Sequence, residues 1–200
     1  ESELQQVVEE GKLAVILSHH NSLTLENTAQ NVFNPGEPLV HAEEFIDMLL
    51  KYPNMVAWMN GHTHINTIQS HGKEGGNGGF WEITTASCID YPQQAQVVDI
   101  VDNRDGTLSL FCVTLDHASP AEWREGDFSQ TGIASLSREL AANDFTADPL
   151  MRRGSPLDRN VELLLPAPFD LSAISDADLE RAYAERTARK MATTAGGTGQ

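Results

Sequence analysis

The apolar run VAWMN (56–60) stops at Gly61 and is followed at once by His62-Thr63-His64. Histidine is scarce, seven in 200 residues, so a pair one residue apart stands out. A second apolar run, KLAVILS (12–18), ends in His19-His20. Neutral imidazole nitrogen ligates zinc, iron and related metals. Sites in open α/β sheets form beyond the carboxyl ends of the strands. Two strand ends that each carry imidazole therefore point to a shared metal centre. The i, i+2 spacing in extended or tightly turned backbone can send both rings to one side. Gly61 leaves the backbone free to bend and approach an ion. Neither histidine pair is specific alone; their position on successive strands carries the expectation.

The elements that must hold these residues read as follows. KLAVILS is a continuous apolar run, as in a strand buried on both faces, and MVAWMN (55–60) is a second. Between them lie a long loop (21–40) and HAEEFIDMLLKYP (41–53). The latter puts Ala42, Phe45, Ile46 and Leu49 on one helical face and is stopped by Pro53. Loop 21–40 follows a candidate ligand directly and is expected to border the substrate pocket. Short strands follow at NTIQS, FWEITT, AQVVDIVD and TLSLFCVTL, with a turn at NRDG (103–106). Helices are expected over 129–143, with Ile133, Leu136 and Leu140 on one face, and over 175–190, capped by Ser175. ATTAGGTGQ reads as a disordered tail. The division is a core over 1–117 and a helical extension over 118–200.

Composition removes some classes. At 40% hydrophobic the chain can bury a core. Its 29 acidic and 13 basic side chains give a net charge of −16, which repels long nucleic acid and anionic membrane. No apolar run approaches the ~20 residues of a membrane span, and no signal-peptide pattern is present. Cys88 and Cys112 have no metal-type spacing and read as small buried side chains, with a disulfide open if the protein is exported. GKEGGNGG (72–79) lacks the Gly-Lys-Ser/Thr of a phosphate loop and reads as a mobile hairpin tip. His71 and His117 sit outside any motif and read as surface or loop residues. Trp58 and Trp81 read as core.

VILSHHNS and MNGHTH resemble two motifs of the calcineurin-like metallophosphoesterases: a strand ending in His, then Gly-His-x-His after the next strand. EITTASCIDYPQQ and DNRDGTLS resemble exported bacterial members of that family. The resemblance covers roughly residues 12–117. It implies an α/β fold, a partial layered α+β sandwich. It also implies a centre of two metal ions (Mn, Fe or Zn) and hydrolysis of a small phosphate ester, monoester or diester. His19 and His62 would ligate one ion and His64 the other, with His20 behind them or in the pocket. The two ions, ~3.5–4 Å apart, would acidify a bridging water. The family's earlier Asp-x-His, Gly-Asp and Gly-Asn-His motifs are not found before His19. With this, the chain is expected to be either the C-terminal portion of a longer enzyme or a degenerate relative; ESELQQVVEEG, which has no initiator Met and reads as a helix ending at Gly11, favours the first. Residues 1–200 alone are then expected to be inactive, lacking a carboxylate to bridge two ions. Two other readings stay open: a mononuclear zinc hydrolase built on His19, His62 and His64, and a non-catalytic metal-binding or interaction domain.

Overall fold

Strand β2 (Met55–Asn60) organises the structure, because MVAWMN is apolar on both faces and is buried along almost its whole length. It is flanked by parallel β1 (Ala14–Leu17) and parallel β4 (Gly79–Thr84). Antiparallel β3 (Thr67–Gly72) closes the other edge, so the order is β1-β2-β4-β3. Helix α2 (Ala42–Leu49) makes the crossover between β1 and β2. The computed structural model describes residues 1–25, 40–72, 78–145 and 148–196. Most of the expected pocket-bordering loop (21–40), residues 26–39, and most of the expected hairpin tip (72–79), residues 73–77, lie outside the described residues.

The second sheet holds β5 (Ala95–Asp102), β6 (Thr107–Leu115) and β7 (Val161–Pro166), all antiparallel with β6 central. Leu108, Leu110, Cys112, Leu163 and Leu165 pack from this sheet against Val56, Ala57 and Ile83 of the first. On the other face of the first sheet, Met55, Trp58 and Phe80 pack with Leu49, Phe45 and Ile46 of α2 and with Leu4 and Val7 of α1 (Ser2–Glu9). The result is a mixed α/β arrangement, with helices on one side of a four-stranded sheet and a three-stranded sheet on the other. The end of α1 is set by Gly11, whose φ of +60° suits glycine. Gly11 N–H donates to the Val8 carbonyl and Lys12 N–H to the Val7 carbonyl.

Several expectations change. β1 is an edge strand rather than one buried on both faces, with Val15 40% and Leu17 76% exposed. The segment 118–200 is not wholly helical, since β7 belongs to the second sheet and buries Leu163 and Leu165. Helix α3 (Gln130–Ala142) forms where expected, but Ile133 and Leu140 face solvent while Gly132 and Ser135 are buried. α4 is a single turn (Pro149–Arg152). α5 runs over Asp176–Gly196, past the expected end at 190, and starts at Ser175, whose Oγ accepts from Asp178 N–H. Both cysteines are free; Cys112 is buried, with its thiol pushed up to about 11 by burial, and Cys88 is exposed. Among the described residues no helix is long and apolar enough to cross a membrane.

Candidate metal centre

The parallel pairing of β1 with β2 continues past both strands. Ser18 N–H donates to the Met59 carbonyl and Gly61 N–H to the His19 carbonyl. This holds the two histidine-bearing ends side by side, as their strand-end positions predict. His19 Nε2 and His62 Nδ1 lie 3.0 Å apart. The two nitrogens stand at hydrogen-bond distance, a little inside the roughly 3.3 Å that separates two nitrogens on a tetrahedral zinc at ~2.0–2.1 Å. The His20 ring centroid lies 4.1 Å from that of His62 and 5.1 Å from that of His19. Ligand atoms of His19, His20 and His62 all fall within 4.8 Å of one another.

The structure therefore brings His20 into the group, where the resemblance implies a place behind it. His64 stands apart: its Nδ1 is hydrogen-bonded to the Asp90 carboxylate. Asp90 is in turn 3.2 Å from Arg152, which also binds Asp144 at 2.7 Å. A histidine whose Nδ1 is held by a carboxylate is left with Nε2 to ligate, the common orienting arrangement at metal sites. Arg152 lies in the 118–200 segment, so that segment reaches the Gly-His-x-His loop.

The bend in this loop does not fall on Gly61. His62 (φ 68°) and His64 (φ 57°) take the left-handed conformation instead. Such backbone costs roughly 1–3 kcal/mol per residue and persists where surrounding contacts impose it. Those contacts are visible. Asn21, which caps the short 3-10 turn Ser22–Thr24, donates from Nδ2 to Thr63 Oγ1 at 3.3 Å. His20 Nδ1 is 3.2 Å from Thr24 Oγ1. Asn66 accepts from Ala86 N–H and donates to Gln94.

Beneath the cluster lies a buried carboxylate absent from the sequence-based site. Glu82, in β4, is 2% exposed. Its Oε1 accepts from Ser22 N–H and from Asn60 Nδ2, both at 2.8 Å, and its Oε2 from His71 Nε2 at 2.7 Å. Ser22 follows His19-His20 and Asn60 precedes Gly61-His62, so one side chain ties both ligand-bearing segments together. Burial alone would raise the Glu82 carboxyl; hydrogen bonds from His71, Ser22 and Asn60 outweigh it and leave it below the usual range. His71 is thus a partly buried partner on β3, not a loop residue. A lone charge inside FWEIT was the available signal, since a charge in an apolar strand survives burial only with partners.

Electrostatics favour the ligand form of His62. The His62 pKa is lowered by desolvation, then by the charges of His20, His19 and His64. The neutral ring, the form that ligates, is the one favoured. Three imidazoles fit one ion. No carboxylate belongs to the group among the described residues, so these residues do not by themselves fit two ions. No protein-family model matches the chain, and comparison with curated proteins returns no match.

Proposed function

We propose that this chain forms part of a metal-dependent phosphoesterase acting on small phosphate esters. The supporting observation is the convergence of His19, His20 and His62 at the adjacent carboxyl ends of β1 and β2. The resemblance of VILSHHNS and MNGHTH to metallophosphoesterase motifs selects the phosphoester among metal-site chemistries. A bound divalent ion supplies Lewis acidity toward a phosphoryl oxygen and lowers the pKa of water. The chain's own contribution is placement. Glu82 and Asn21 fix the separation of the two ligand segments, Thr24 anchors His20, and Asp90 orients His64. Neutral imidazoles leave the charge of an ion uncompensated, giving a local attraction for phosphate on a chain of net charge −16.

The all-imidazole donor set favours a second reading, a mononuclear three-histidine hydrolase. The discriminating experiment is elemental analysis of the protein loaded with manganese or zinc, alongside turnover of aryl phosphomonoesters and phosphodiesters. Two ions per active chain support the dinuclear phosphoesterase, with carboxylates beyond this cluster completing it. One ion with turnover supports the mononuclear reading. Metal binding without turnover of any phosphate ester refutes both and leaves a metal-binding module.

A further inference from the structure

We propose that the cavity beside the histidine cluster is a subsite for a compact, uncharged aromatic group carried by the phosphate ester; this rests on the phosphoesterase reading above. The cavity measures about 300 Å³ and is bounded by Leu25, Val40, Phe45 and Trp58, with Ser18, His19 and His20 on the side of the cluster. The same two histidines thus face both the candidate ion site and the cavity. A phosphoryl group held at the cluster would direct one substituent into it.

The chemistry of the walls selects the substituent. Among the described residues no charged side chain lines the cavity. Away from the histidines, the polar side-chain groups of its described walls are engaged: Trp58 Nε1 donates to Ser18 Oγ at 2.8 Å, and Ser18 Oγ donates to the His20 carbonyl at 2.7 Å. A sugar or nucleoside entering here would surrender hydrogen bonds to water and find few in return. An aromatic ring loses nothing of that kind. Phe45 and Trp58 stand edge to face, with centroids 5.2 Å apart and planes at 67°, the arrangement a third ring can extend. Size agrees, since an apolar cavity of ~150 Å³ holds benzene, and this one has about twice that space for a ring and its ester linkage.

The test uses the full-length protein loaded with manganese and three non-hydrolysable probes: methylphosphonate, phenylphosphonate and octylphosphonate. Calorimetric titration should show phenylphosphonate binding roughly 10- to 100-fold tighter than methylphosphonate, the gain expected for burying one ring. Phe45→Leu, which keeps apolar volume, and Val40→Gln, at an exposed position on the rim, should each reduce that preference several-fold. Both should leave methylphosphonate affinity within about twofold, which also reports that the variants fold. Equal affinity for the phenyl and methyl probes in the wild type overturns the subsite and leaves the phosphoesterase reading standing. Tighter binding of octylphosphonate than phenylphosphonate overturns the aromatic assignment. A preference unchanged in both variants overturns its location. Failure of the metal-loaded protein to bind any phosphonate overturns the phosphoesterase reading and this subsite with it.

Discussion

At His62 and His64 the chain adopts a backbone conformation that ordinarily falls to glycine, while Gly61 beside them does not. A Cβ added at Gly61 would meet the His19 and Thr85 carbonyl oxygens only at 4.0 Å, an ordinary contact. Gly61→Ala is therefore expected to keep metal affinity within about threefold, measured by titration with cobalt. The ligands should behave differently. His19→Ala, His20→Ala and His62→Ala should each weaken cobalt binding by more than roughly 10-fold, because each removes one of three clustered nitrogens. His64→Ala should leave that ion in place, since its ring is held by Asp90 and not by the cluster. Undiminished binding in His20→Ala would restore the arrangement with His20 behind the ligands. The convergence of His19 and His62 was legible because strand ends are local, whereas His64, read beside them, is held on Asp90 instead. The grouping of His20 with His19 and His62 was not legible, since it depends on the 3-10 turn that Asn21 starts.

At the scale of elements, the decisive contacts join segments far apart in the chain. Glu82 contributes a lowered carboxyl pKa, so its stabilisation is present above the unfolded value of 4.5 and is lost as pH falls through the lower folded value. Glu82→Gln should destabilise the fold by roughly 2 kcal/mol at pH 7. The gap between its melting curve and that of the wild type should narrow as pH drops below about 4.5. A gap that widens in acid would contradict the assigned charge state. Gly154 (φ +67°) offers a second test, because a Cβ there would lie 2.2 Å from the Asn66 carbonyl oxygen. Gly154→Ala should lower stability by more than about 1 kcal/mol and loosen the approach of Arg152 to Asp90. Thermal melting reads the first effect and proteolysis near residue 152 the second. β2 and β6 were legible to the residue because long apolar runs with few turn formers have no other use. β1 was read as buried because hydrophobicity cannot tell an edge from a centre. β7 was missed because VELLLP carries a charge, ends in proline and joins a strand far back in the chain, Ser109 and Glu162 being 53 residues apart.

For the whole molecule, β7 divides the 118–200 segment into parts of different consequence. Removing residues 190–200 should leave the melting temperature within about 2 °C, since α5 is exposed along most of its length. Removing residues 160–200 should abolish cooperative melting, because Leu163 and Leu165 complete the contact between the two sheets. Calorimetry on both truncations checks this, and a cooperative transition in the shorter one would make the segment a true appendage. The histidine cluster itself belongs to the earlier part of the chain, yet Arg152 reaches Asp90, the partner of His64, from the later part.

The central position of β6 in its sheet also sets a timetable for synthesis. Its first partner, β5, precedes it across a tight turn, whereas its second is emitted much later: Ser109 and Glu162, which share a hydrogen bond, are 53 residues apart. At ~5–20 residues per second, a ribosome needs on the order of 3–10 s to pass from one to the other. Through that interval the strand carries a full row of unpaired N–H and C=O groups toward the place β7 will take. A nascent chain in this state offers a template for any passing strand. The sheet that covers the core is thus open to mispairing at a time when the histidine-bearing strands have already been made.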